Sequence, residues 1–287
     1  MAFNFQVFKT RTLTAIVFAA FMLLGLFANT WTYLLLFTII HFGCWYEYQK
    51  LVALIIPGYK NISVIQKIVY PFFGFMLMLR FAGILNSFSF INDGSEFITI
   101  MIICILFLEI VFYKRSGIEN IAASLLGFAY ISLPITCMIA FRLSGNFYIG
   151  SYFHFDMGLI IPILLIATIW INDTMAYIVG SLIGKTPLTK ISPKKTWEGT
   201  LGGALLAIAT ISAVTYFLFQ SNIISTLLFT GVAVIFATLG DLFESKIKRL
   251  AKVKDSGNFL PGHGGFLDRF DSLLFAAPAI WILLLLM

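Results

Sequence analysis

Residues 223–243, IISTLLFTGVAVIFATLGDLF, contain a single charged residue, Asp241, in 21 positions. The apolar residues are continuous and do not alternate with polar ones, which excludes the strand pattern of a membrane β-barrel. A helix needs about 20 mostly apolar residues to cross the hydrocarbon core of a bilayer. Within that core a helix satisfies its own backbone polar groups. This stretch therefore predicts a membrane-spanning helix.

The whole chain has the same apolar character. Of its 287 residues, 60% are hydrophobic and 11% are charged, whereas a soluble domain averages about 25% charged residues. The pattern predicts an all-α, polytopic integral membrane protein with about nine spans. These spans are 12–28, 31–48, 66–85, 97–113, 119–141, 157–181, 200–219, 223–243 and 272–287. The first run resembles a signal sequence but lacks a clean cleavage site, so an uncleaved helix is the better interpretation.

The positions of Lys and Arg predict the orientation of these spans, because such residues collect on the cytoplasmic side. With a cytoplasmic N-terminus, only Arg80 and Arg142 fall outside the inner segments. The predicted outer loops 86–96, 144–155 and 220–222 contain no Lys or Arg. The net charge of +6 therefore reflects membrane topology. Nucleic-acid binding is disfavoured because no soluble domain is present to support it.

The two halves of the chain differ in polarity. Residues 1–155 carry few polar residues beyond the loop charges and are predicted to be helices for packing, dimerisation or lipid contact. Residues 156–287 hold the two longest inner segments, 182–199 and 244–271, both rich in polar residues. The C-terminal half is therefore predicted to be the catalytic part, with its site in the loops at the cytoplasmic face.

Residues 240–249, GDLFESKIKR, extend the apolar span into the inner interface. Positions three and four apart share a helix face. The resulting polar stripe consists of Asp241, Glu244, Ser245, Lys248 and Lys252. Carboxylates hold hard cations and lysines neutralise phosphate oxygens, so the stripe predicts a site for a metal-bound polyphosphate. The alternative is an interfacial helix with snorkelling lysines, although carboxylates at such a helix end are costly without a partner.

A second polar segment, residues 254–271, reads KDSGNFLPGHGGFLDRFD. Its glycines allow close approach of a ligand, and consecutive amides can form an anion-binding nest. Asp268 and Asp271, three residues apart near a predicted helix N-terminus, suit Mg²⁺ held against phosphates. The alternative is a glycine turn followed by acidic capping residues, with Arg269 paired to a neighbour. For His263 a phosphate contact is predicted, because an ionised phosphate nucleophile needs no strong base.

An upstream inner loop also offers phosphate-binding groups. These are Lys185, Ser192, Lys194, Lys195 and Thr196. Asp173 lies inside a predicted helix two turns before this loop, where an isolated carboxylate is expected to be functional or paired. The alternative for the lysines is that they only obey the positive-inside rule.

Residues 245–271 resemble the signature of the phosphatidate cytidylyltransferases, the CDP-diacylglycerol synthases. The matching positions are Ser245, Lys248, Arg249, Lys254, Asp255, Gly257, Pro261, His263, Gly264, Gly265, Asp268, Arg269 and Asp271. The segments DTMAY at 173–177 and SPKKTWEG at 192–199 resemble a second stretch of that family. The N-terminal half is similar to the family mainly in hydropathy and helix number.

The resemblance implies transfer of CMP from CTP to phosphatidic acid in phospholipid biosynthesis, giving CDP-diacylglycerol and pyrophosphate. It implies Mg²⁺, accompanied by a monovalent cation such as K⁺, with metal ligands among Asp241, Asp268 and Asp271. The implied catalytic residues are Asp241, Ser245, Lys248 and Asp268. The implied substrate-binding residues are Lys185, Ser192, Lys194, Lys195, Arg249, His263, Gly264, Gly265 and Arg269. It also implies a homodimer, and the compact form favours a bacterial inner membrane with a cytoplasmic active site.

Two other functions are less consistent with the sequence. A CTP-using polyprenol kinase would transfer the γ-phosphoryl group to an alcohol and release CDP, but the full signature argues against it. A secondary transporter would place its polar residues near the membrane midplane, often in repeated halves. Here the polar residues lie at one predicted face and no internal repeat is visible.

Overall fold

The structure is a computed structural model, and it describes residues 5–87, 94–143, 157–259 and 264–287. Its regular structure consists of helices. Within these ranges the β features are isolated bridge residues: Pro187 pairs with Thr196, and Gly264 is a further bridge residue. The all-α prediction is therefore confirmed for the described residues. The α-helices are α1 (Phe5–Phe27), α2 (Thr30–Ile55), α3 (Val64–Phe81), α4 (Gly94–Gly127), α5 (Leu133–Leu143), α6 (Met157–Ile183), α7 (Trp197–Phe219), α8 (Ile223–Leu250) and α9 (Leu267–Leu286).

Six stretches of the described chain are long and apolar enough to cross a bilayer. They are Val64–Phe81, Gly117–Leu143, Gly158–Ile183, Trp197–Phe219, Ile223–Leu250 and Leu267–Leu286. Each overlaps one of the predicted spans, so the protein is a polytopic membrane protein. The predicted spans 12–28, 31–48 and 97–113 fall on α1, α2 and α4 but are not among the six. These three spans remain predictions.

Two of the shortest connections have a clear local cause. Asn29 caps α2: its side chain accepts from Thr32 N at 2.9 Å, and its own N–H donates to Thr32 Oγ1 at 3.1 Å. This reciprocal pair satisfies two otherwise unpaired amides, so two residues suffice between α1 and α2. The predicted break between residues 113 and 119 is a kink at Gly117, whose φ of 64° is readily adopted by glycine.

The chain divides into two compact units. The first unit comprises Met1–Ser144 and Leu250–Arg269, and the second comprises Gly145–Arg249 and Phe270–Met287. Each unit therefore contains part of the polar segment that follows α8. The sequence-based division at residue 155, which rests on polarity, remains a prediction about function.

Aromatic side chains of α2 form much of the core of the first unit. Tyr33 Oη donates to Met138 O at 2.8 Å, and Tyr48 Oη donates to Ala123 O at 2.8 Å. Trp45 Nε1 donates to Ser132 Oγ at 3.0 Å. Buried tyrosines and tryptophans need such partners for their polar tips. These hydrogen bonds tie α2 to α4, α5 and the π-helical turn Phe128–Ser132 between them.

In the second unit, α6 and α7 pack closely through small residues. A Cβ on Gly203 would lie 2.7 Å from both Ala176 Cβ and Asn172 O. Without a side chain at Gly203, the two backbones approach each other closely, as small residues allow in membrane helices. Because α6 and α7 flank residues 184–196, their packing sets where that loop begins and ends.

We expect Gly203→Ala to lower the stability of the second unit. The added methyl group would force α6 and α7 apart, and overpacking of this kind costs about 1–3 kcal/mol. Gly231→Ala in α8 is the matched control, because no atom lies within 4 Å of the added Cβ. It should be neutral or stabilising by up to about 1 kcal/mol. Thermal unfolding of the purified protein measures both, and equal melting temperatures for the two variants would contradict the prediction.

Candidate functional site

Three carboxylates of the second unit converge near the C-terminal end of α8. Asp241 and Glu244 lie one turn apart on α8, and Asp271 lies on α9. One carboxylate oxygen from each lies within 4.8 Å of the others. Glu244 and Asp271 are buried, with 0% and 9% of their surface exposed. A Cβ on Gly240 would lie 2.5 Å from Asp271 O, so the glycine permits the close approach of the two helices.

Two lysines accompany these carboxylates. Lys195 forms an ion pair with Asp241, and Lys248 forms one with Glu244. Partial burial lowers the pKa of Lys195, and Lys248 lowers it further, whereas Asp173, Asp271 and Glu244 oppose the shift. When all groups are ionised, four carboxylates face two ammonium groups, a net charge of 2 − 4 = −2. Glu244 and Asp271 are buried, so this excess of negative charge is costly by itself and suits a divalent cation.

The fold of the loop between α6 and α7 places Lys195, and not the adjacent Lys194, beside the carboxylates. Leu188 N donates to Lys195 O at 2.7 Å, and Trp197 N donates to Thr186 O at 2.9 Å. These hydrogen bonds and the isolated bridge between Pro187 and Thr196 join the two ends of the loop, and Lys195 N donates to Ser192 O at 3.1 Å across the turn between them. Lys194, within that turn, is exposed, whereas the adjacent Lys195 reaches the carboxylates.

The base of the same loop is fixed by hydrogen bonds to side chains of α7. Glu198 accepts from the amides of Lys185 and Thr186 at 3.1–3.2 Å. Thr196 caps α7, since its Oγ1 accepts from Gly199 N at 3.1 Å. These contacts give residues 185–199 a defined backbone, so the polar residues that sequence analysis singled out here have structural as well as candidate binding roles.

The other predicted site residues of the second unit have contacts outside the three-carboxylate cluster. Lys185 is exposed, and Ser192 N donates to Thr189 Oγ1 at 3.2 Å. Arg249 is exposed and its Nε donates to Ile191 O at 3.4 Å. Ser245 is half-buried next to Glu244 on α8. The structure thus brings Asp241, Lys248, Lys195 and Asp271 together with Glu244, which the predicted polar stripe contained but the metal ligands implied by the resemblance did not include.

Asp268 lies in the first unit, in a different set of contacts. Its Oδ2 accepts from Gly265 N at 2.8 Å and from Ser256 N at 2.9 Å, and lies 2.9 Å from Ser256 Oγ, whose single proton is shared between Asp268 and Glu47. These hydrogen bonds fix the position of the Asp268 carboxylate. In the described residues, the carboxylate that groups with Asp241 and Asp271 is Glu244. A metal-binding role for Asp268 remains a prediction.

Glu47 of α2 contacts the same glycine-rich segment. It accepts from Ser256 Oγ at 2.8 Å, from Phe266 N at 3.0 Å and from Leu267 N at 2.9 Å. The side chain is 3% exposed. Sequence analysis missed this residue, although its signal, an isolated carboxylate within the apolar run 31–48, was the same signal that identified Asp173.

The glycines of this segment have a structural explanation. A Cβ on Gly257 or on Gly265 would collide with the Glu47 carboxylate, and Gly264 has a φ of 85°. Of the two glycines predicted to bind phosphate, Gly265 donates its amide to Asp268 at 2.8 Å, and the predicted role of Gly264 remains a prediction. Arg269 is exposed. His263, with Pro261 and Gly262, lies outside the described residues, so its predicted phosphate contact remains a prediction.

Comparison with known proteins gives consistent matches. A model of the cytidylyltransferase family matches residues 9–287. The chain is 40% identical over 176 residues to a phosphatidate cytidylyltransferase of Staphylococcus haemolyticus, covering 61% of this chain and 63% of the relative. It is 39% identical over 193 residues to that of Synechocystis, covering 61% and 65%.

A plant relative is matched over a shorter stretch. The chain is 44% identical over 128 residues to the chloroplastic phosphatidate cytidylyltransferase 4 of Arabidopsis thaliana, covering 44% of this chain and 33% of the relative. These aligned stretches span from one third to just under two thirds of the relatives' own length.

Proposed function

The chain belongs to the cytidylyltransferase family, and from that membership we propose that it transfers CMP from CTP to phosphatidic acid. An oxygen of the lipid phosphate attacks the α-phosphorus of CTP, a new P–O bond forms, and the bond to the β-phosphate oxygen breaks. The products are CDP-diacylglycerol and pyrophosphate. The protein is then a membrane-bound nucleotidyltransferase of phospholipid biosynthesis, as the names of its relatives indicate for those proteins.

The observation that carries the proposal is the cluster of three carboxylates and two lysines at the end of a membrane-spanning helix. Ligand oxygens of one octahedral Mg²⁺ lie about 3–4 Å apart, and those of Asp241, Glu244 and Asp271 lie within 4.8 Å of one another. The residues therefore fit a Mg²⁺ ion after small side-chain movements. We propose that these three residues hold Mg²⁺, which when bound reduces the repulsion between the two anionic substrates. A monovalent cation such as K⁺ accompanies it.

The lysines of the cluster supply the positive charge that the reaction requires. Lys195 and Lys248 are paired with Asp241 and Glu244, so both ammonium groups already lie beside the proposed metal ligands. In the proposed complex, they donate to phosphate oxygens of CTP and stabilise the charge that develops on the leaving pyrophosphate. Ser245, half-buried on the same helix, is placed as a further donor to phosphate.

The proposed topology places this site at the cytoplasmic face. It has nine spans and a cytoplasmic N-terminus, because the inner segments then carry nearly all Lys and Arg residues. The acyl chains of phosphatidic acid stay in the bilayer while the headgroup enters the site. We propose a homodimer in a bacterial inner membrane, a localisation supported by bacterial relatives.

The direct test uses detergent-purified protein, phosphatidic acid, Mg²⁺ and CTP labelled at the α-phosphorus. We expect the label to enter the lipid fraction, with one pyrophosphate released for each CDP-diacylglycerol formed. A parallel reaction with γ-labelled CTP and a polyprenol distinguishes CMP transfer from a polyprenol kinase activity. Transfer of the γ-label to the polyprenol would instead support a kinase. Absence of label transfer from either nucleotide by folded protein would contradict the proposal.

We expect chelation of divalent cations to abolish CMP transfer. Treatment with EDTA removes the proposed Mg²⁺, and added Mg²⁺ should restore the full rate. Ca²⁺ should restore much less, because it binds oxygen ligands at about 2.3–2.6 Å and prefers more of them than Mg²⁺, which binds at about 2.0–2.1 Å. Initial rates at increasing concentrations of each cation measure this preference. A rate unchanged by EDTA would contradict the metal proposal while leaving CMP transfer itself intact.

A further inference from the structure

In the first unit, Glu47 connects α2 to the glycine-rich segment before α9. We propose that Glu47 is a positioning residue for the reaction: it holds Ser256 and the first residues of α9 in their active arrangement. The proposal concerns the conformation of this segment, and its effect on CMP transfer rests on the proposed function. The residues involved, called here the Glu47 clamp, are Glu47, Ser256, Gly257, Gly265, Phe266 and Leu267.

The hydrogen bonds of Glu47 satisfy both the carboxylate and the helix it caps. A buried carboxylate on an apolar helix is costly without partners, and the first amides of a helix have no partners within that helix. Phe266 N and Leu267 N, at the start of α9, donate to the two oxygens of Glu47 at 3.0 and 2.9 Å. The negative charge also suits the N-terminal end of the helix dipole. Glu47 therefore acts as an N-terminal cap supplied by another helix.

The shape of the segment is matched to this carboxylate. Gly257 and Gly265 lie against Glu47, and a Cβ on either would collide with its carboxylate. One turn earlier on α2, a Cβ on Gly43 would lie 2.5 Å from the Phe266 ring. Gly43 and Glu47 share a helix face because they are four residues apart. This face of α2 thus accepts the Phe266 ring and the adjacent backbone together.

Ser256 links the clamp to Asp268 of the signature. Its Oγ lies 2.8 Å from Glu47 Oε2 and 2.9 Å from Asp268 Oδ2. Its amide also donates to Asp268 at 2.9 Å. A change at Glu47 therefore reaches Asp268 through a single side chain. This short path is the reason to expect an effect on catalysis and not on folding alone.

The test compares Glu47→Gln with Tyr48→Phe. A glutamine has nearly the same shape, but an NH₂ group replaces one acceptor oxygen and cannot accept from a backbone amide. Tyr48→Phe removes a buried hydrogen bond of the neighbouring residue, to Ala123 O, without touching the clamp. We expect Glu47→Gln to lower kcat about 100-fold, because small displacements of reacting groups have effects of this size. The KM for CTP should change about threefold or less.

Amide hydrogen exchange provides the second readout. In Glu47→Gln we expect faster exchange at Phe266 and Leu267, by about tenfold or more, whereas Tyr48→Phe should leave both amides as in the wild type. Glu47→Asp keeps the charge but is shorter by about 1.5 Å, and should restore part of the protection and part of kcat. Partial recovery in Glu47→Asp would show that the effect of Glu47 depends on its charged hydrogen-bond acceptor and not only on side-chain packing.

Several outcomes would overturn the proposal. Wild-type kcat and exchange in Glu47→Gln would do so, as would equal losses of kcat and melting temperature in Glu47→Gln and Tyr48→Phe. If Glu47→Gln does not fold, Ser256→Ala cuts the link to Asp268 and should lower kcat about tenfold; an unchanged kcat would refute the link. If the wild type does not transfer CMP, the proposed function fails, but the exchange measurement still decides whether Glu47 holds the segment.

Discussion

Asp271→Asn should lower kcat for CMP transfer about a thousandfold, equivalent to about 4 kcal/mol of lost transition-state stabilisation. Asp271 is buried and its carboxylate lies near those of Asp241 and Glu244. Asparagine has the same size but no negative charge, and it retains only one oxygen that can bind Mg²⁺. The rate should be measured at saturating CTP over a wide range of Mg²⁺ concentrations, where the variant is expected to need far more Mg²⁺.

Glu119→Gln is the control for this experiment. Glu119 is an exposed carboxylate of α4, and its neutralisation should leave both kcat and the Mg²⁺ requirement unchanged. If Asp271→Asn kept the Mg²⁺ requirement of the wild type, the three carboxylates would not form the metal site. A loss of activity accompanied by a large fall in melting temperature would assign Asp271 to folding.

Lys195→Ala should lower kcat/KM for CTP about 100-fold, whereas Lys194→Ala should lower it about fivefold or less. The two residues are adjacent, but Lys195 pairs with Asp241 and Lys194 is exposed. Removal of Lys195 takes away positive charge from the place where the polyphosphate is expected to bind. Steady-state kinetics of both variants and of Lys195→Arg measure the difference.

Lys195→Arg tests whether charge alone is sufficient. Arginine keeps the positive charge but its planar group is larger and differs in geometry, so we expect partial activity between those of the wild type and Lys195→Ala. Equal losses in Lys194→Ala and Lys195→Ala would contradict the assignment of distinct roles. Such a result would indicate that the loop acts as a general basic surface.

Most of the helices could be predicted from the sequence, because a bilayer requires long apolar runs and leaves few alternatives to a helix. Six of the predicted spans coincide with apolar helical stretches long enough to cross it. The predicted break between the spans 97–113 and 119–141 coincides with Gly117, whose φ of 64° and ψ of 154° are not helical and separate two helical stretches within α4. A glycine next to the charges of Lys114 and Arg115 is the local sequence signal for that break.

The candidate site could be predicted only in part. Helical spacing on α8 placed Asp241, Glu244 and Lys248 on one face, and these residues do lie together. Spacing within the sequence cannot distinguish Lys194 from Lys195, because that difference depends on how the loop between α6 and α7 folds. It also cannot pair Glu47 with Ser256, which lies 209 residues further along the chain. Contacts at such separations depend on helix packing, which local patterns do not encode.

The clamp has a consequence for building chimaeras and fragments of this protein. The N-terminal helices are mostly apolar, as a simple membrane anchor would be. Glu47, however, accepts hydrogen bonds from the amides of Phe266 and Leu267. A fragment that begins at residue 156 would leave those donors without their acceptor. A graft of foreign N-terminal helices would need a carboxylate at the equivalent position, facing the same glycines. A chimaera should therefore take α2 and the glycine-rich segment from the same parent protein.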